Sequence, residues 1–192
     1  MSTRQATWPV GYDLLEFDEL DSTNAQALRM AKDLVRPTWI RAARQTAGRG
    51  RSGRSWASKP GNLTATLLYR PKCSLQDAAL RTFVAANALY DALARLVDPT
   101  RLSLKWPNDV LLDGGKVAGI LLESEADGAN VKWLAAGVGV NLSFAPDPDG
   151  EGTSTPVSLT DTVNVADFHA LLAEAYSLEE TRIVELGFGP FL

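Results

Sequence analysis

The run NVKWLAAGVGVNL, residues 130–142, carries no charged side chain after Lys132 and no polar one from Leu134 to Val140. A segment that apolar cannot sit at a wet sheet edge, so it predicts a strand in the middle of a sheet. The segments around it supply the neighbours. YDLLEF (12–17), TWIRAAR (38–44), the alternating and β-branched NLTATLLYR (62–70) and RLSLKW (101–106) read as strands. VLLDGGKVAGILLES (110–124) reads as a hairpin, because Asp113, Gly114 and Gly115 tolerate the positive φ of a tight turn.

Three segments read as helices. Residues 21–34 start at Asp21, Ser22 or Thr23, whose short side-chain oxygens can accept a free backbone N–H. In 74–97, Leu75, Ala79, Phe83, Ala86, Tyr90, Leu93 and Val97 recur at three- and four-residue steps and predict one buried stripe. Residues 165–186 form another amphipathic helix, in which His169 is expected on the outer surface with no role. The Pro-, Gly- and Asp-rich stretch 145–156 predicts a loop. Together these elements predict an α+β fold, a mixed, largely antiparallel sheet flanked by helices, formed by a single domain over residues 1–192.

Composition narrows the function. No apolar run reaches the ~18 residues of a membrane span, and the N-terminus lacks a signal-peptide pattern. The single cysteine, Cys73, allows no internal disulfide and fits a reducing, cytoplasmic setting. Net charge is −4 with a pI near 5.0, against the basic balance of a dedicated nucleic-acid binder. Yet Arg41, Arg44, Arg49, Arg51 and Arg54 fall in a stretch without an acid, which points to one specific anion met at one place.

That stretch contains GRGRSG (48–53), which matches G-x-G-x-x-G. A dinucleotide fingerprint would need a helix to follow and an acid roughly 20 residues on. Here Ser55-Trp56-Ala57-Ser58-Lys59-Pro60-Gly61 follows, and residues 68–73 contain no acid. Gly115-Lys116 is followed by Val117, so it is no phosphate loop of the G-K-[ST] type. An RGG-type RNA-binding tract would be long and disordered. The remaining reading is a loop within a folded domain. Its glycines allow close approach, its arginines offer forked donors to phosphate or carboxylate, and Trp56 offers a flat face to a ring. Anion plus ring suggests a nucleotide.

GRGRSGRSW (48–56) resembles the ligand loop of biotin protein ligases. DSTN (21–24), QTAGRGR (45–51), KWPNDV (105–110), GKVAGILLE (115–123) and GVGVNL (137–142) follow in that family's order and spacing, and the resemblance covers residues 12–186. It implies a fold like the catalytic domain of class II aminoacyl-tRNA synthetases and of biotin and lipoate ligases. It implies two steps: biotin reacts with ATP to give biotinyl-5′-AMP and pyrophosphate, then the biotinyl group passes to a lysine of a biotin carboxyl carrier domain of acetyl-CoA carboxylase or a related carboxylase. Mg²⁺ would accompany ATP. Bringing a carboxylate to within ~4 Å of a phosphate costs on the order of 4 kcal/mol at an effective dielectric near 20, which explains the need for cations.

By resemblance, Ser22, Thr23 and Asn24 bind the ureido ring of biotin and Gln45 faces biotin, with Gly48, Gly50 and Gly119 leaving room for loop closure and ligand. Arg49 and Arg51 carry carboxylate and phosphate charge, Arg54 meets the triphosphate, and Trp56 lies against adenine. Lys105 approaches the phosphates, and Asn108 and Asn141 the nucleotide. Lys116 faces the reacting carboxyl oxygens, and Asp109 either orients the incoming lysine or holds metal-bound water. The catalytic set is thus Lys116, Arg49, Arg51, Asp109 and Lys105, with metal ligands unassigned.

Many relatives carry an N-terminal winged helix and most a C-terminal SH3-like barrel. The expectation here is that neither is present, hence no DNA and no membrane as partners, with a homodimer left open. The alternative to a ligase is a module that binds biotin or its adenylate with weak or no transfer. A lipoate- or octanoate-type ligase would lack the arginine-rich loop.

Overall fold

The computed structural model describes residues 7–147, 154–159 and 163–187. The expected loop at 145–156 lies partly outside them. Seven strands form one sheet: β1 (Asp13–Leu20), β2 (Thr38–Gln45), β3 (Leu63–Tyr69), β4 (Leu102–Lys105), β5 (Asp109–Leu112), β6 (Gly115–Asp127) and β7 (Asn130–Val140). Their spatial order is β1-β2-β3-β7-β6-β5-β4, so the apolar β7 is the fourth of seven, as its composition predicts. Only β1 and β2 pair in parallel. Asp113 and Gly114 take the expected positive φ in the β5–β6 turn. That hairpin is longer than expected, because β6 continues to Asp127 and turns at Gly128 into β7.

Alternation of side chains sorts residues between the two faces of the sheet. Trp39, Leu67, Leu134, Ala136, Val138 and Val140 join the main core, under α2 (Leu75–Leu93) and α3 (Val165–Leu186). Ile40, Leu68, Trp133 and Ala135 point the other way, beneath α1 (Thr23–Met30), in a smaller core. With only eight residues, α1 covers part of its face; the helical stretch is shorter than the expected 21–34, and its N-cap is Ser22.

Two expectations about the long helices are corrected. The buried face of α2 is not the expected stripe: of its residues only Ala86 and Leu93 are buried, while Leu75 and Ala79 are exposed. The helix instead packs through Ala78, Arg81, Val84, Ala85, Ala88, Leu89 and Ala92. Alanines let the helix lie close to its neighbours, and the larger apolar residues flank them. Arg81 is admitted because it meets Glu180 of α3 at 2.9 Å, and Glu180 also accepts from Tyr69 at 3.1 Å. A buried charge needs such pairing.

His169 is not on the surface. It is fully buried, edge-on to Trp39 (ring centroids 4.9 Å apart) and to Trp8 (5.2 Å), because the chain around Trp8 passes over α3 and covers it. Burial, and then the charge of Arg41, lower its pKa to about 3. The folded protein therefore holds a neutral imidazole that titrates near 6.5 once unfolded. Its contribution to stability is complete above pH 6.5 and is lost as pH falls toward 3, by at most about 1.4 kcal/mol per pH unit. In urea titrations across this interval the wild-type midpoint is expected to fall more steeply with acid than that of His169→Phe. Equal slopes would refute this account.

Candidate active site

The face that α1 leaves uncovered has a bare floor. Gly119 of β6 stands directly opposite Gly139 of β7, and Leu121 opposite Gly137. On β7 the valines of GVGV enter the main core while the glycines face out beside α1. Side chains from elsewhere fill the space. A Cβ on Gly137 would come within 2.0 Å of Asn24 Oδ1, and one on Gly139 within 2.2 Å of the Trp56 ring.

Lys116 reaches this floor through a β-bulge. Val110 pairs with Ala118 but Leu111 pairs with Lys116, so β6 carries one extra residue, Val117. The extra residue reverses the alternation. Lys116 thereby joins the face of Gly119, and its amine stands 3.3 Å from where a Gly119 Cβ would be. The ammonium pairs with Asp109 at 2.7 Å. Its backbone is held on both sides, by Thr155 O at 2.7 Å and Val157 N at 2.9 Å. The buried Asn141 adds a contact from Nδ2 to Lys116 O at 3.5 Å.

One end of the floor is polar. Thr23 and Asn24 open α1, whose start is fixed by Ser22. Gln45 Oε1 accepts from Thr23 N at 2.7 Å. The Thr66 hydroxyl lies 2.8 Å from that of Thr23 and 2.6 Å from Asn24 Oδ1. Asn24 Nδ2 then donates to Glu123 Oε2 at 2.8 Å, and the same oxygen accepts from Arg49 Nη2 at 2.8 Å.

The arginine loop is ordered over this arrangement. Arg49 bridges Ser55, Gly50 N donates to Arg54 O at 2.7 Å, and Trp56 N to Gly48 O at 2.9 Å. Ser52 and Gly53 take positive φ at the tip, in the short 3-10 turn Arg51–Gly53. Arg51 Nη1 donates to Asn108 Oδ1 at 2.9 Å, and Asn108 is itself bound to Ile120 of β6. Trp56 lies across Gly119 and Gly139 with the Lys116 amine 5.5 Å from its ring centroid. Its indole Nε1 has no partner among the described residues.

The profile of the biotin/lipoate A/B protein ligase family matches residues 15–141. The chain belongs to this family. It is 48% identical over 177 residues to the biotin–[acetyl-CoA-carboxylase] ligase of Paracoccus denitrificans, covering 88% of this chain and 74% of that protein. To the bifunctional ligase/repressor BirA of Bacillus subtilis it is 35% identical over 139 residues, 71% of this chain and 42% of that protein. The solved structure of the biotin protein ligase from Aquifex aeolicus in complex with biotin and ATP superposes with a TM-score of 0.76 at 28% identity, over 93% of this chain and 75% of that one.

Most of the residues expected from the resemblance to this ligase family line one cavity: Ser22, Thr23, Asn24, Gln45, Arg49, Gly50, Arg51, Arg54, Trp56, Asn108, Lys116, Gly119 and Asn141. Gly48, Lys105 and Asp109 stand outside its lining. Gly48 lies beneath the loop, where a Cβ would come within 2.4 Å of Trp56 O. Lys105 is exposed at the rim and donates to Ser154 Oγ at 2.7 Å. Asp109 touches the cavity through Lys116. The arginine cluster divides: Arg41 and Arg44 are paired with Glu16 and Glu19 of β1, and only Arg49, Arg51 and Arg54 belong to the cavity.

Sequence reasoning missed Thr66, Glu123, Gly137 and Gly139 as parts of the site. The glycines had a legible signal, a period-two alternation with valine. Glu123 is an acid at the end of the apolar run within β6, and Thr66 a hydroxyl amid apolar neighbours.

The two glycines predict different costs. Gly137→Ala forces a methyl against the buried Asn24 and is expected to lose about 1–3 kcal/mol in urea unfolding. Gly139→Ala meets a loop side chain that can leave, so it is expected to retain stability and render Trp56 accessible to fluorescence quenchers. A Trp56→Phe control identifies that signal. Equal stability losses in both variants would contradict the assignment.

Proposed function

We propose that this chain activates biotin with ATP and transfers it to a lysine of a biotin carboxyl carrier domain, that of acetyl-CoA carboxylase or a related carboxylase. The carrying observation is the meeting of the Lys116 ammonium and the arginine loop over a floor with no side chains, next to a polar end with matched donors and acceptors. Ser22, Thr23, Asn24 and Gln45 form the polar end, suited to the ureido ring, which needs both donors and acceptors once buried. The bare floor of Gly119 and Gly139 accepts flat apolar bulk. Lys116, Arg49 and Arg51 concentrate positive charge where a carboxylate and a phosphate must meet.

In the first step a carboxylate oxygen of biotin attacks the α-phosphorus of ATP; the P–O bond to the β-phosphate breaks and pyrophosphate leaves. Lys116 lowers the repulsion between the two anions and stabilises charge gathering on the transferred oxygens. Asp109 holds that ammonium in place. In the second step the carrier lysine, as a free amine, attacks the acyl carbon; the C–O bond to AMP breaks and an amide forms. An ordered loop over the adenylate excludes water in the meantime. Trp56 leaves its seat on Gly119 and Gly139 when ligand enters and becomes available to stack on adenine, while Arg54, Lys105, Asn108 and Asn141 meet the nucleotide.

The described residues include no group of three His, Cys, Asp or Glu able to hold a metal. The two carboxylates at the site, Asp109 and Glu123, are each paired with a cation. In this reading Mg²⁺ enters with the triphosphate of ATP. No helix among the described residues is long and apolar enough to cross a membrane. In this reading the reaction runs in the cytoplasm, a setting that the single cysteine fits.

The test is ATP-dependent biotin transfer to a purified carrier domain, run beside biotin-dependent pyrophosphate release. Wild type is expected to do both, and Lys116→Ala to lose about 100-fold or more in pyrophosphate release while still binding biotin. Biotin binding without pyrophosphate release by the wild-type chain would make it a binding module. Release without transfer would confine this chain to the adenylation step.

A further inference from the structure

We propose that Glu123 is a positioning residue that sets the hydrogen-bond polarity of the biotin end of the cavity and ties the arginine loop to it. The proposal rests on the reading of that end as the ureido site. Glu123 projects from β6 on the face of Gly119, and its side chain is 26% exposed, so it works inside the cavity wall. One oxygen, Oε2, receives both Asn24 Nδ2 and Arg49 Nη2, each at 2.8 Å. The first belongs to the start of α1 and the second to the loop. No other side chain among the described residues hydrogen-bonds to both Asn24 and Arg49.

The polarity follows from what a carboxylate can do. An ionised Glu only accepts, so Asn24 must turn its NH₂ toward Glu123. Its carbonyl oxygen then faces Thr66, 2.6 Å away, and takes the single hydroxyl proton of Thr66. The Thr23 oxygen, 2.8 Å from Thr66, shares that proton, and the Thr23 hydroxyl gives its own to Gln45 Oε1 at 3.0 Å. Gln45 Oε1 is held by the Thr23 backbone N–H at 2.7 Å. The Gln45 NH₂ therefore remains as the donor on offer to a ligand. The anion thus fixes Asn24 and, through it, Thr66, while the Thr23 backbone N–H fixes Gln45 at the other end. Without the anion, only the Leu121 carbonyl at 3.3 Å holds the Asn24 NH₂, and a flip of Asn24 changes the set presented to a ring bearing both N–H and C=O.

The tether follows from the same oxygen. Arg49 is the first arginine of the loop and starts its internal pairing with Ser55. Binding Arg49 to Glu123 orders the loop before any ligand arrives, and it does so on the atom that orients Asn24. Loop position and pocket polarity are thereby linked.

The isosteric Glu123→Gln removes the charge and supplies an NH₂ that can itself donate. The variant is expected to raise the KM for biotin about tenfold or more, with kcat at saturating biotin changed much less. Limited trypsin digestion of the unliganded protein is expected to cut faster after Arg49, Arg51 or Arg54 than in wild type, with an unchanged thermal midpoint. A biotin KM within about twofold of wild type, or an unchanged cleavage rate, overturns the proposal. So does a drop in activity that tracks thermal midpoint at constant KM, since that is what a purely structural residue would give. Should Glu123→Gln fail to fold, Glu123→Ala, which removes the shared acceptor of Asn24 and Arg49, carries the same comparison. If the wild-type chain binds no biotin, the reading of the site falls, and the cleavage comparison alone decides whether Glu123 holds the loop.

Discussion

The pairing of Gly119 with Gly139 across β6 and β7 is the constraint on which the site depends. Two adjacent central strands expose backbone alone at this point, on the face that the short α1 does not reach. Elsewhere on the sheet a bare patch would be a packing defect, since buried surface without side chains forfeits apolar burial. Here the missing volume is supplied by Trp56 and by the Lys116 amine. Because those groups come from a loop and from a flexible side chain, the space can be vacated for a ligand without unpacking the main core, which lies on the opposite face.

Charge is arranged around the floor with a matching economy. The parallel register of β1 and β2 sets Glu16 beside Arg41 and Glu19 beside Arg44, so two of five clustered arginines are neutralised by their own sheet. Arg49 and Arg51 are each docked on a named acceptor, Glu123 and Asn108. Lys116 is docked on Asp109. Arg49, Arg51 and Lys116, which line the cavity, are thus each held in position by an acceptor of the protein's own. Preorganised charge of this kind stabilises a developing anion without reorganisation at the moment of reaction.

The chain belongs to the biotin/lipoate A/B protein ligase family and superposes on the Aquifex aeolicus ligase, and the reaction proposed for it passes through an adenylate. The chemistry asks for little beyond positioning. Neither step needs a histidine base, and His169 accordingly sits far from the solvent, neutral, as part of an aromatic cluster. Its burial was invisible in the sequence because the covering residue, Trp8, belongs to the leading segment and is far away along the chain.

Much of the architecture was legible beforehand for physical reasons. The apolar composition of 130–142 demanded a central strand, the positive-φ residues Asp113 and Gly114 demanded a tight turn, and the cap at Ser22 located a helix start. These are local properties, read from side-chain polarity and backbone permissiveness. Most of the residues that line the cavity were named beforehand through the family resemblance of the motifs that carry them. What could not be read is direction. The α2 stripe was misplaced because alanine packing, not side-chain size, chose the buried face. Lys116 faces the cavity only because the β6–β5 register admits one extra residue at Val117, and a slip of one residue reverses every side chain beyond it. Glu123 joins Asn24 to Arg49 only because three distant segments converge on one face of the sheet. Residue chemistry is carried by the chain itself, but which face a residue occupies, and beside whom, is a property of pairing between segments far apart, and only the folded sheet decides it.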